Sequence, residues 1–112
     1  MRKFAVKNGF YDGKVVAYLL YDEKDRTYQI EVPEGVRNVE APPIIADLME
    51  KGQRKIGNEW SLRWVKMRVI PPERQNIGQI LRENGMDRYD EFRLLMNNQG
   101  RSCQDECYLV EV

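Results

Sequence analysis

Apolar and polar positions alternate in the first third of the chain. Lys3 to Asn8 alternates around Phe4 and Val6, the two-residue period of a strand. Asn8-Gly9 and Asp12-Gly13 follow, dipeptides that favour turns with positive φ. Lys14 to Tyr21 is rich in β-branched and aromatic residues and apolar on both faces, as expected of a central strand. After the polar turn Asp22–Asp25, Thr27 to Val32 sets Tyr28, Ile30 and Val32 against Thr27, Gln29 and Glu31. The pattern predicts a hairpin or a three-stranded meander.

The period then changes. Pro33, Gly35 and Pro42-Pro43 mark a loop, and Pro43 suits the first turn of a helix, where its missing N–H costs nothing. Ile44, Ile45, Leu48 and Met49 share one helical face before Gly52, which predicts a helix over Pro43–Lys51. Trp60, Trp64 and Met67 at i, i+4 and i+7 predict a second helix, capped by Asn58 and ending before Pro71-Pro72, while the tryptophan and valine content of 58–70 also suits a strand. Ile77, Ile80 and Leu81 predict a third helix, stopped by Asn84-Gly85. A fourth should be capped by Asp87, with Tyr89, Phe92, Leu95 and Met96 buried and Asn97–Gly100 closing it. Cys107 to Val112 alternates again and returns to the sheet as a strand. The expected class is α+β: a small, mainly antiparallel sheet, made of the N-terminal hairpin or meander plus the C-terminal strand. Three to four short helices in the second half group on one side of it.

With 112 residues, one domain over 1–112 is expected. A composition 42% hydrophobic is too apolar for a disordered chain, and no run is long enough for a membrane span. The first ten residues lack the apolar core of a signal peptide, so the expected compartment is the cytoplasm, with thiols reduced. Charge balances at 18 basic and 18 acidic residues, but unevenly: residues 1–50 carry 7 and 9, residues 51–82 carry 8 and 2, and residues 83–112 carry 3 and 7. A neutral total argues against a protein that coats DNA, while the basic middle leaves room for a local anionic partner.

Candidate chemistry is sparse. No histidine is present, which removes His-activated nucleophiles, HExxH zinc sites and the usual general acid–base at neutral pH. No phosphate-cradling glycine loop occurs. "RSCQDEC" holds both cysteines, Cys103 and Cys107, at a CxxxC spacing that matches neither a zinc clip nor a CxxC redox pair. The expectation is a structural loop with a buried Cys107 thiol and an Asp105 that bonds the backbone of its turn. No metal or cofactor is expected. "RQNIGQILRENGMDRYDEFRLL" has the outline of a helix-turn-helix, but Asp87, Asp90 and Glu91 would face a phosphate backbone, so a plain helical hairpin is expected. Glu31, Glu34, Glu40, Asp47 and Glu50 read as solvated surface charge.

One segment fits a recognition surface. Arg54, Lys55, Arg63, Lys66, Arg68 and Arg74 lie near Trp60 and Trp64, and arginine with tryptophan is the common make-up of interface hot spots. The competing expectation is that both tryptophans are core and the basic stems cover them. The sequence therefore points to a non-enzymatic protein-interaction or regulatory domain whose partner is another protein or a second copy. A nucleic-acid-binding regulator, using residues 51–82 or 74–96, is the alternative. A small cysteine-dependent redox or metal protein ranks third.

Overall fold

The computed structural model describes all of residues 1–112. Strands β1 (Arg2–Asn8), β2 (Lys14–Asp22) and β3 (Thr27–Glu31) form the antiparallel meander that the alternation predicts. The sheet has five strands in the order β4-β3-β2-β1-β5, with β5 (Cys107–Glu111) on the free edge of β1 and β4 (Lys55–Ile56) on that of β3. Every pairing is antiparallel. β2 is central, as its apolar content suggests, but a register break opposite Val6/Lys7 puts Val16 and Ala17, neighbours in sequence, both inside. This is the expected effect of a bulge, which adds one residue to a strand.

One face of the sheet carries the core. Phe4, Leu19 and Ile30 lie side by side across three strands, and Val6 pairs with Ala17 and Leu109. All of them join a single apolar cluster. Helices α1 (Pro43–Glu50), α2 (Asn58–Lys66), α3 (Ile77–Glu83) and α4 (Glu91–Asn97) all contribute to this same cluster. The opposite face, with Ala5 flanked by Tyr18 and Val110, adds nothing to it. No helix is long and apolar enough to cross a membrane.

Three local expectations need correction. Asn58 does not cap α2: it is the first helical residue, and its Oδ1 accepts the Tyr28 N–H at 2.8 Å, which ties the helix to the start of β3. Asp87 does not cap α4. Asp90 does, accepting the N–H groups of Phe92 and Arg93 at 3.0 and 3.3 Å, so the helix starts one turn later. Tyr89 is then a loop residue, its hydroxyl donating to Ile70 O at 2.6 Å. Residues 84–90 thus separate α3 from α4, more than the three- or four-residue turn of a helix-turn-helix. Finally, Glu40 is not surface charge. It is buried, with its carboxylate accepting Lys14 Nζ at 2.8 Å and the Arg37 N–H at 2.8 Å.

Candidate interaction surface

Trp60, Trp64 and Met67 do not share a buried face. The inward stripe of α2 and the turn after it is Ser61, Trp64, Val65, Arg68 and Val69, the i, i+3, i+4, i+7 and i+8 positions of a helical face. Trp64 is 3% exposed, whereas Trp60 is 39% and Met67 50% exposed. The helix is rotated so that a serine and an arginine face inward and two large apolar residues face water. Ser61 and Arg68 each have partners, whereas the buried Trp64 Nε1 has none. Ser61 Oγ donates to Ile56 O at 3.2 Å.

Arg68 is more thoroughly held. Its guanidinium donates to both Asp105 oxygens, at 2.9 and 2.8 Å, to Cys107 O at 2.9 Å, and to Gly100 O. It also lies over the Trp64 ring, Cζ 4.6 Å from the centroid. Planar, bidentate pairing with a carboxylate is the geometry in which a buried arginine is best satisfied. Asp105 Oδ1 also accepts the Cys107 N–H at 2.8 Å, the backbone bond expected of this residue. Burial pushes the Asp105 carboxyl up, but the bonds from Arg68 and the Cys107 N–H outweigh it and leave the carboxyl below its ordinary value. The loop that carries both cysteines is therefore a clamp between α2 and β5. Cys103 is exposed and Cys107 buried, and no three metal-ligating side chains converge in the chain.

The predicted surface therefore divides. Trp64 and Arg68 are interior. Arg54 closes the loop after β3, donating to Pro33 O at 2.8 Å and Val36 O at 3.2 Å. Lys55 is exposed on the edge strand β4, and Arg74 is exposed in the loop before α3. What remains together is on the outer face of α2: Trp60, Arg63 and Met67. Arg63 stacks on the Trp60 ring, Cζ 4.6 Å from the centroid, with Glu59 3.9 Å away. Such a pair offers apolar area and a charge already held in place.

At the end of α2 lies a pocket of about 250 Å³, lined by Lys66, Pro71, Pro72, Glu73, Tyr89 and Glu91. Burial raises the Glu91 carboxyl above its ordinary value, Lys66 pulls it down, and Asp90 adds to the rise. Glu91 lies close enough to the buried Tyr28 hydroxyl to raise its pKa, after burial itself, and that hydroxyl has no hydrogen-bond partner. The sequence pattern gives no sign of this pocket, because it places Tyr89 inside a helix, whereas Tyr89 lies in the loop before α4.

A second exposed apolar feature was also missed. Phe10 is 75% and Val39 67% exposed, on two single 3-10 turns, Gly9–Tyr11 and Asn38–Glu40. Asn8 holds the turns together: its Nδ2 donates to Glu40 O at 2.7 Å and its Oδ1 accepts the Phe10 N–H at 3.0 Å. The available signal was a phenylalanine directly after a turn dipeptide, with no strand to bury it.

No protein-family model matches the chain, and neither a curated protein nor a solved structure is similar to it.

Proposed function

We propose that this chain is a non-enzymatic, cytoplasmic binding domain that docks another protein along the outer face of α2, through Trp60, Arg63 and Met67. One observation carries the reading. The helix turns two large apolar residues outward while Ser61 and Arg68 occupy positions in its buried face. A serine and an arginine in the core require dedicated partners, and the rotation that buries them with Trp64, Val65 and Val69 leaves Trp60 and Met67 outside. Exposed apolar side chains beside a stacked arginine have the composition of an interface centre.

The test is affinity capture of the tagged chain from its native lysate after nuclease treatment, comparing wild type with Trp60→Ala/Met67→Ala. A stoichiometric protein retained by wild type and by Phe10→Ala, but lost by the α2 variant, is the expected result. Equal retention by the α2 variant would move the interface elsewhere. Recovery of nucleic acid, with proteins lost after nuclease, would favour the alternative of a nucleic-acid-binding regulator.

A further inference from the structure

We propose that the pocket at the end of α2 receives a basic side chain, arginine or lysine, from the protein that docks on that helix. The inference rests on the binding reading above and deepens it by naming the partner's anchoring chemistry.

The pocket lies at the C-terminal end of α2, which contributes Lys66 to its lining, so a protein docked on that helix has the pocket at the helix end. Its walls suit a long aliphatic stem. Pro71 and Pro72 are rigid, and Tyr89 is fixed by its 2.6 Å bond to Ile70 O. Its floor suits a cation. Glu73 and Glu91 both line it, and neither carboxylate is engaged in an ion pair or a hydrogen bond. Lys66 brings one positive charge against these two negative ones. Asp90 adds negative charge nearby, although its Oδ1 is taken up by the Phe92 and Arg93 N–H groups. The buried Tyr28 hydroxyl, which feels the Glu91 charge, has no hydrogen-bond partner.

These groups match an arginine or lysine in detail. The methylenes would pack on Pro71, Pro72 and Tyr89, and the cationic head would donate to Glu91 and Glu73. An anionic or purely apolar side chain would leave both carboxylates unpaired in a tighter space. Arginine is also among the residues most enriched at interface centres.

The experiment uses the isotope-labelled full chain and a short blocked peptide, acetyl-Ala-Arg-Ala-amide, with its citrulline counterpart as the uncharged isostere. Saturable NMR shifts centred on the amides of Glu73, Tyr89 and Glu91 are expected for the arginine peptide only. Glu91→Gln should weaken binding about tenfold or more, since one charge-assisted contact is lost. Glu73→Gln, in an exposed loop, gives a second reading that does not depend on how α4 tolerates change. Absent shifts, or equal shifts with the citrulline peptide, overturn the proposal. The two claims fail separately. If Trp60→Ala/Met67→Ala loses the captured partner while Glu91→Gln keeps it, the α2 reading stands and the pocket assignment falls. If the peptide binds but the α2 variant keeps its partner, the pocket stands and the α2 interface falls.

Discussion

Arg68 and Asp105, 37 residues apart in sequence, meet through two hydrogen bonds of 2.9 and 2.8 Å in the interior. Arg68 also carries the carbonyls of Gly100 and Cys107, so one side chain joins the end of α2 to the loop before β5. Removing one partner of such a pair leaves the other charged, buried and alone. Arg68→Ala is therefore expected to cost about 3–5 kcal/mol of folding stability, read from the midpoint and slope of a urea transition. Asp105→Ala together with Arg68→Ala should cost clearly less than the sum of the two single changes, because the pair acts as a unit. Strict additivity would mean that the contact is incidental.

Glu40 makes stability depend on acid. The Arg37 N–H and then Lys14 hold its carboxyl down at about 2, against some upward push from burial. A carboxyl whose folded pKa lies below its unfolded one stabilises the fold above the unfolded value. That contribution fades as pH falls from about 4.5 toward 2. Asp105, also lowered, adds to the same acid loss. Glu40→Gln should be less stable than wild type at pH 7, and the gap should narrow steadily on acidification through this window. Thermal unfolding at a series of pH values gives the comparison, and a gap independent of pH would show that the Glu40 charge is not what Lys14 and the Arg37 N–H stabilise.

The two tryptophans should respond very differently to truncation. Trp64 is buried in the core cluster, so Trp64→Ala should cost about 3–5 kcal/mol. Trp60 is exposed and lies outside the core cluster, and Trp60→Ala should stay within about 0.5 kcal/mol, as most surface changes do. Denaturant titration of both variants also checks the rotation of α2. Similar large losses at both positions would mean that Trp60 is core.

The meander was legible because one-sided burial writes a two-residue period, and Tyr28, Ile30 and Val32 kept it. β4 was not, since Lys55 and Ile56 are too few to show any period. The sequence pattern misplaces the start of α4 because Asp87 and Asp90 are both acceptable caps; it is Asp90 that accepts the Phe92 and Arg93 N–H groups, with Tyr89 tied to Ile70 O outside the helix. The rotation of α2 was hidden for a different reason. Pattern reading scores serine and arginine as outward positions; the Ser61 partner is Ile56 of β4, a strand too short to read, and the Arg68 partners lie in and beside the loop before β5, 32 or more residues away. The Arg/Trp segment therefore gave no means of separating Trp60 from Trp64.

Two glycines with nearly the same backbone separate conformational strain from steric clash. Gly85 (φ 69°) and Gly100 (φ 67°) both sit in the left-handed region after a helix. A Cβ at Gly85 would meet open space, whereas one at Gly100 would lie 2.5 Å from Leu109 Cγ. Gly85→Ala should cost about 1 kcal/mol, the strain of a non-glycine residue there. Gly100→Ala adds a clash with the core face of β5, next to a carbonyl that Arg68 uses, and should cost several-fold more. Side-by-side thermal unfolding tests this, and equal losses would mean that Leu109 moves aside freely.

The cysteines should behave as two unrelated thiols. Cys103 is exposed, while Cys107 is buried in β5 with its thiol pushed up to about 12, chiefly by burial and then by the Asp105 charge. The thiolate is the reactive form, so a maleimide should modify Cys103 alone in the native chain and reach Cys107 only when β5 opens. Arg68→Ala, by releasing the clamp, should speed this second modification by weakening the contacts that hold the loop. Mild oxidation should then give a dimer linked through Cys103 in place of a closed CxxxC loop. Cys103→Ser should abolish that dimer and Cys107→Ser should leave it intact. Rapid loss of both thiols in a monomer would instead return the pair to the redox class that the structure leaves without a partner.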